Sequence, residues 1–288
     1  MKVLIAGAAG QVGRALVDSA SAPIEVVQCS HQGLDVTDER AVLRCIRLHA
    51  PDVIVNAAAH TAVDRAESEP ELARRINSNG PRYLALAARE VGARLVHIST
   101  DFVFDGASSI PYAPEAPTNP LNVYGVTKRA GEQAVLEVLP ERSVILRTSW
   151  VYAAQGSNFV RTMLRLMGAN AAVRVVADQL GTPTAARSVA QAIWKIIERP
   201  SLTGIHHWSD AGVASWYDFA VAIADIAEPL GLLASTITVT PISTQEYPSA
   251  ARRPRYSVLD TRSLALLGIA PVHWRRQLQS VLGELGRA

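Results

Sequence analysis

Two residues four apart carry the most chemistry in this chain. In Tyr124-Gly125-Val126-Thr127-Lys128 a phenol and an ammonium are spaced i, i+4, which on a helix puts both on one face. A neighbouring ammonium favours phenolate and lowers the tyrosine pKa toward the operating range, making the pair a workable general acid for a carbonyl oxygen. Upstream, Ser99-Thr100-Asp101 follows an apolar run, so Thr100 can offer a hydroxyl to the same oxygen. At the start of the chain, Gly7, Gly10 and Gly13 form a GxxGxxG array directly after KVLIA. Gly7 permits a tight turn, Gly10 lets the backbone approach a pyrophosphate, and Gly13 lets the next helix pack closely while its first N–H groups face the anion. Each motif is common alone, but their combination in this order points to a dinucleotide-dependent reduction of a carbonyl.

These groups need strands to end beneath them and helices to begin beside them. Apolar, mostly β-branched runs at 2–6, 24–28, 53–56, 94–98 and 143–147 predict five strands covered on both faces. Amphipathic patterns at 11–20, 38–49, 69–91 and 123–138 predict the intervening helices, with Thr37 or Asp38 capping the second. Strands alternating with helices imply a parallel, doubly wound α/β sheet of Rossmann type. After residue 150 the rhythm loosens: helices are expected at 157–167, 186–198 and 215–230, strands at 173–176, 205–208 and 235–240, and an ordered loop at 243–256. We therefore expect a dinucleotide-binding domain at 1–150, completed by parts of 184–210, and a smaller α/β substrate-binding lobe at 151–288 interleaved with it.

Composition removes other functions. The net charge of +2 in 288 residues, with no dense Lys/Arg run, argues against nucleic acid as a partner. Two cysteines, Cys29 and Cys45, are too few for a disulfide framework or a thiolate metal site and suit a reducing compartment. The opening MKVLIAGAAG lacks the long apolar core of a signal peptide, and no run of about 18 uncharged apolar residues follows. No membrane partner and a cytoplasmic location are expected. The end of the second strand reads Gln28-Cys29-Ser30-His31, without the acid that would bond a ribose 2′-OH. A hydroxyl and an imidazole there suit a 2′-phosphate, which favours NADPH and leaves NADH open.

These motifs, with Asn56-Ala57-Ala58-Ala59, resemble the extended short-chain dehydrogenase/reductases. Longer stretches at 53–70, 97–106, 120–132, 147–152, 178–184 and 251–254 are similar more narrowly to the dTDP-4-dehydrorhamnose reductases, across almost the whole chain. The resemblance implies NADPH-dependent reduction of the C4 ketone of dTDP-4-dehydro-L-rhamnose to dTDP-L-rhamnose. It implies Tyr124 as proton donor, Lys128 as the group that holds the nicotinamide ribose and depresses the tyrosine pKa, and Thr100 as an aid to Tyr124. Gly10, Gln11 and Val12 then wrap the pyrophosphate, Ser30, Asp35 and Val36 line the adenosine, and Ala59, His60 and Thr61 meet the cofactor. Thr100, Asp101 and Trp150 bind the sugar, Trp150 by stacking on an apolar sugar face, and Arg253 reaches the diphosphate with Arg252 beside it.

Plainer readings stand beside these. Trp150 also suits a core, Asp35 a helix cap, and His60 a packed loop, while Asp64, Glu67 and Glu69 read as a solvated helix start. Some relatives dimerise around magnesium held by glutamates; here those places carry Ala15 and Arg187, and only Glu284 remains. Since an arginine repels Mg²⁺, no structural metal is expected, and either a monomer or a homodimer is compatible. Two other functions fit the same resemblance: another nucleotide-sugar 4-ketoreductase or epimerase, and a non-catalytic regulatory subunit such as that of a methionine adenosyltransferase. The complete Thr100, Tyr124, Lys128 set argues against the second, because a scaffold has no physical need of it.

Overall fold

Alternate residues of the first strand point into two different cores. In β1 (Lys2–Ala6) Val3 and Ile5 face α1 (Gln11–Asp18), whereas Leu4 and Ala6 face the opposite layer. The structure, a computed structural model, describes residues 1–286 except 236, 266, 267 and 269. The chain continues through β2 (Glu25–Cys29), α2 (Glu39–His49) and β3 (Val53–Asn56). Asp38 caps α2 by accepting from the Ala41 N–H at 3.0 Å. Beyond it lie α3 (Val63–Ser68), α4 (Pro70–Arg74), α5 (Gly80–Val91), β4 (Arg94–Thr100), α6 (Val123–Val138) and β5 (Ser143–Thr148). The later half supplies α7 (Phe159–Ala169), β6 (Ala172–Val176), α8 (Ala186–Ile197) and β7 (Gly204–His207). It ends with α9 (Trp216–Ala227), β8 (Thr238–Ile242), α10 (Arg262–Ala265) and α11 (Trp274–Leu285).

Six strands form one parallel sheet in the order β7-β5-β4-β3-β1-β2. Because β2 and β3 flank β1 on opposite sides, the chain reverses its direction of travel at β1. That leaves a crevice beyond the C-terminal strand ends, where open α/β sheets bind ligands. Helices α1 and α8 cover one face, and α2, α5 and α6 the other. Although α8 comes late in the chain, it packs on α1, and the Trp194 Nε1–H donates to Ser19 Oγ at 3.1 Å. A second core gathers α7, α9, α11 and the two-stranded β6–β8 sheet around Phe219, Met163 and Leu278.

The helix expected over 69–91 is present from Pro70 to Val91, with a π turn set inside it. Glu69 leaves helical geometry at φ −125°, Pro70 restarts the chain, and a π turn at Arg75–Asn79 precedes α5. The hydropathy pattern alone did not reveal the single π turn inside an otherwise helical stretch. The bulge buries Asn77, whose side chain accepts from the His60 N–H at 2.8 Å and donates to the His60 carbonyl at 3.1 Å. The strand expected at 235–240 begins only at Thr238, and residue 236 lies outside the described residues. The helix expected at 215–230 stops at Ala227. Among the described residues, no helix is long and apolar enough to cross a membrane.

Candidate active site

Thr100 is the last residue of β4, and Asp101 opens a 3₁₀ turn. The Thr100 hydroxyl accepts from the Phe102 N–H at 3.2 Å and donates to Asp101 Oδ1 at 3.0 Å. Opposite, Asn122 caps α6 by accepting from the Gly125 N–H at 2.8 Å, which places Tyr124 and Lys128 on the inward face. Gly125 allows this approach: a Cβ there would lie 2.2 Å from the Phe102 carbonyl oxygen. Lys128 is buried, and its Nζ donates to the Ile98 carbonyl of β4 at 2.6 Å.

These groups line one cleft of about 650 Å³. Gly10, Gln11, Val12, Ala59 and Thr61 form one part of its wall, and Thr100, Asp101, Tyr124, Lys128, Trp150 and Arg253 another. Gly7 and Gly13 shape the turn behind this wall. Added Cβ atoms would lie 2.6 Å from Ala58 N and 2.2 Å from the Gly7 carbonyl oxygen respectively. Gly10 caps α1 without a side-chain hydrogen bond, so the first N–H groups of the helix have no side-chain cap competing with an anion.

A family model for the RmlD substrate-binding domain matches residues 1–287. A dTDP-4-dehydrorhamnose reductase of Streptomyces griseus is 43% identical, over 99% of this chain and 94% of its own. A dTDP-4-keto-6-deoxy-D-glucose reductase of Streptomyces niveus is 41% identical, over 96% and 94%. The crystal structure of a dTDP-4-dehydrorhamnose reductase from Bacillus anthracis, in complex with NADP, is 38% identical and superposes at a TM-score of 0.92 over 98% of this chain and 99% of that one. The chain belongs to the RmlD family, that of the dTDP-4-dehydrorhamnose reductases.

Within this RmlD-family fold, Ser30, Asp35, Val36 and His60 are not among the residues lining the cleft, although Ser30 follows Cys29, whose carbonyl accepts from the Gly7 and Ala8 N–H groups. The Ser30 carbonyl closes a turn by accepting from the Gly33 and Leu34 N–H groups. Asp35 does not cap α2; its Oδ1 accepts from the Thr37 N–H at 2.9 Å and the Thr37 hydroxyl at 2.8 Å, which holds the carboxyl below its usual range. Val36 is buried against Gly80. His60 is clasped through its backbone by Asn77, with its ring 3.5 Å from Glu69. Trp150, on the cleft wall, adopts φ +48° and stacks on Trp216 at 3.5 Å between centroids.

The electrostatics also depart from the sequence reading. Burial pushes the Tyr124 hydroxyl up to about 12, Thr100 opposes that shift as a hydrogen-bond partner, and Asp101 adds to it. The Lys128 Nζ donates to the Ile98 carbonyl rather than to Tyr124. Burial pulls Lys128 itself down to about 8, against the opposing charge of Glu132 one turn on. Glu132 holds Arg147 through two bonds of 2.9 and 2.8 Å and also accepts from the Ser99 hydroxyl. Arg147 donates in addition to the Pro114 carbonyl at 3.1 Å. Burial raises Asp101 to about 7.

Sequence reasoning missed Asn77, Glu132 and Trp216. Glu132 had a legible signal, the same i, i+4 spacing from Lys128 that singled out Tyr124. Trp216 had none, since only the fold brings α9 to the end of β5. The acids read as solvated are also tied down: Asp64 bonds Arg253 and the Ala251 N–H, and Glu67 accepts from the Val123 N–H at 2.8 Å. Arg187 spans to α11, donating to Gln277 Oε1 at 2.6 and 2.9 Å and to Glu284 at 3.1 Å. Ala15 and Glu284 border a smaller cavity of about 240 Å³ beside it. Among the described residues, no three His, Cys, Asp or Glu side chains cluster as a metal site.

Proposed function

We propose that this chain reduces the C4 ketone of dTDP-4-dehydro-L-rhamnose to dTDP-L-rhamnose, with NADPH as the hydride source and Tyr124 as the proton donor. The observation that carries the reading is the convergence of Thr100, Tyr124 and Lys128 on a cleft whose far wall is the glycine turn and the uncapped start of α1. The cradle suits a dinucleotide because the absence of Cβ atoms at Gly7 and Gly13 lets the tight turn and α1 pack closely behind it, and because α1 offers backbone donors to a pyrophosphate. Gly10, Gln11 and Val12 are assigned to the pyrophosphate, Ser30, Asp35 and Val36 to the adenosine, Ala59, His60 and Thr61 to the region beyond β3, and Lys128 to the nicotinamide ribose. NADPH, when bound, supplies a hydride to the ketone carbon.

The chain's own contribution is to orient the ketone and to manage one proton. With its hydroxyl near 12, Tyr124 rests protonated at neutral pH and holds the proton the nascent alkoxide requires. By rotating its hydroxyl hydrogen away from Asp101, Thr100 donates to the developing phenolate or to the carbonyl oxygen, and the Lys128 ammonium lies one helical turn away. Trp150 and Asp101 contact the sugar, and Arg253 the diphosphate.

The Streptomyces niveus relative supports a second reading, a reductase of the same type acting on a different dTDP-4-keto-6-deoxyhexose. Ketosugar-dependent oxidation of NADPH and NADH, with the products identified by NMR, separates the two by the stereochemistry at C4. A chain that turns over neither ketosugar but copurifies as a tight heteromer sinks both and revives the regulatory-subunit reading.

A further inference from the structure

Outside the catalytic set, three segments meet at the mouth of the cleft in a frame of polar contacts. Asp64 of α3 accepts from the Ala251 N–H at 3.0 Å and grips Arg253 end-on, Nη1 to Oδ1 at 3.2 Å and Nη2 to Oδ2 at 2.6 Å. One turn along α3, Glu67 accepts from the Val123 N–H in the first turn of α6, beside Tyr124. Asn122 Nδ2 closes the frame by donating to the Arg252 carbonyl at 2.8 Å. The strap at 249–254, α3 and the start of α6 are therefore tied to one another, and Arg253 lines the cleft from the strap.

We propose that Asp64 is a positioning residue: it holds the Arg253 guanidinium on the cleft wall, preorganised for the diphosphate of the nucleotide sugar. The proposal rests on the nucleotide-sugar reading above. The Asp64 side chain is 49% exposed and that of Arg253 21%, so solvent screens the pair and it contributes little to holding the fold together. What a two-point grip does supply is direction. An unanchored arginine on an irregular strap surrenders its rotamer freedom only when the ligand arrives, which weakens binding. The grip uses Nη1 and Nη2 and not Nε, and the ion pair keeps the Asp64 carboxyl below its usual range, hence charged at neutral pH.

A double-mutant cycle tests this, with dTDP and thymidine as calorimetric probes on the NADPH-loaded protein. Asp64→Asn is expected to weaken dTDP about ten-fold, leave thymidine unchanged, and raise KM for the ketosugar about as much with kcat and the KM for NADPH held. In an Arg253→Gln background the same Asp64→Asn change is expected to shift dTDP affinity less than about two-fold, because the residue through which it acts is gone. Asp64→Glu, which keeps the charge but displaces it, is expected to fall between wild type and Asp64→Asn. The proposal is overturned if Asp64→Asn binds dTDP as tightly as wild type, or if its loss persists undiminished in the Arg253→Gln background. Wild-type protein that binds dTDP but reduces no ketosugar overturns only the function proposed above. Wild-type protein that binds no nucleoside diphosphate overturns both.

Discussion

The two ends of the cleft are built from different materials. The glycine end is made by backbone from one contiguous stretch, 7–13, with Ala57–Thr61 beside it. The opposite end is made by side chains from five separated places: the end of β4, the first turns of α6, the end of β5, the start of α9 and the strap at 249–254. A backbone site tolerates no added carbon, because the space it uses is already the van der Waals surface of another chain segment. A side-chain site fails one residue at a time, each failure with its own kinetic signature.

The sharpest break of that contrast is Tyr124→Phe, which removes one oxygen and nothing of the packing against Phe102. Turnover is expected to fall about 1,000-fold, roughly 4 kcal/mol, with NADPH affinity held. A loss of only a few-fold in a folded variant removes Tyr124 from its role. Glu132→Gln is next and acts on both stability and pH. Stranding the buried Arg147 is expected to cost about 3–5 kcal/mol in denaturant unfolding. In wild type the Lys128 ammonium is lost as pH rises through about 8, giving kcat/KM an alkaline limb there. Since Glu132 raises the Lys128 pKa, its neutralisation moves that limb to lower pH; an unmoved limb assigns it to another group.

Gly7→Ala tests the backbone end. At φ +81°, with its Cβ 2.6 Å from Ala58 N, it is expected to destabilise the fold by about 1–3 kcal/mol. NADPH affinity falls with it while dTDP affinity is retained, as paired titrations would show. The smallest expected effect is that of Trp216→Leu, which removes the partner stacked on Trp150. KM for the ketosugar is expected to rise roughly five-fold, about 1 kcal/mol, with KM for NADPH unchanged. Equal rises in both constants make Trp216 a general packing residue instead.

The same contrast explains how much was legible beforehand. Five β-branched runs predicted the first five strands within a residue or two, because a doubly covered strand has no polar face to confuse the pattern. The glycine turn and the Tyr124–Lys128 pair were legible because each is set by spacing along one element. The π turn inside the helix expected at 69–91 was not, nor was the separate α3 before it, since neither leaves a signature in local hydropathy. Asp64 and Glu67 looked like solvated acids because a carboxylate on a short helix is equally suited to water. Their partners, Arg253 and the Val123 N–H, lie 189 and 56 residues away.

By itself, then, the sequence determined periodicity, turn chemistry and short-range spacing, and with them the sheet, the glycine turn and the Tyr124–Lys128 face of α6. Tertiary structure alone decided which charges face which. Lys128 donates to the Ile98 carbonyl, burial and Asp101 raise the Tyr124 hydroxyl against the opposing effect of Thr100, and Trp216 stacks on Trp150. The physical reason is range. Backbone preferences act over a few residues, whereas desolvation and ion pairing depend on everything within a few ångströms, wherever in the chain it comes from.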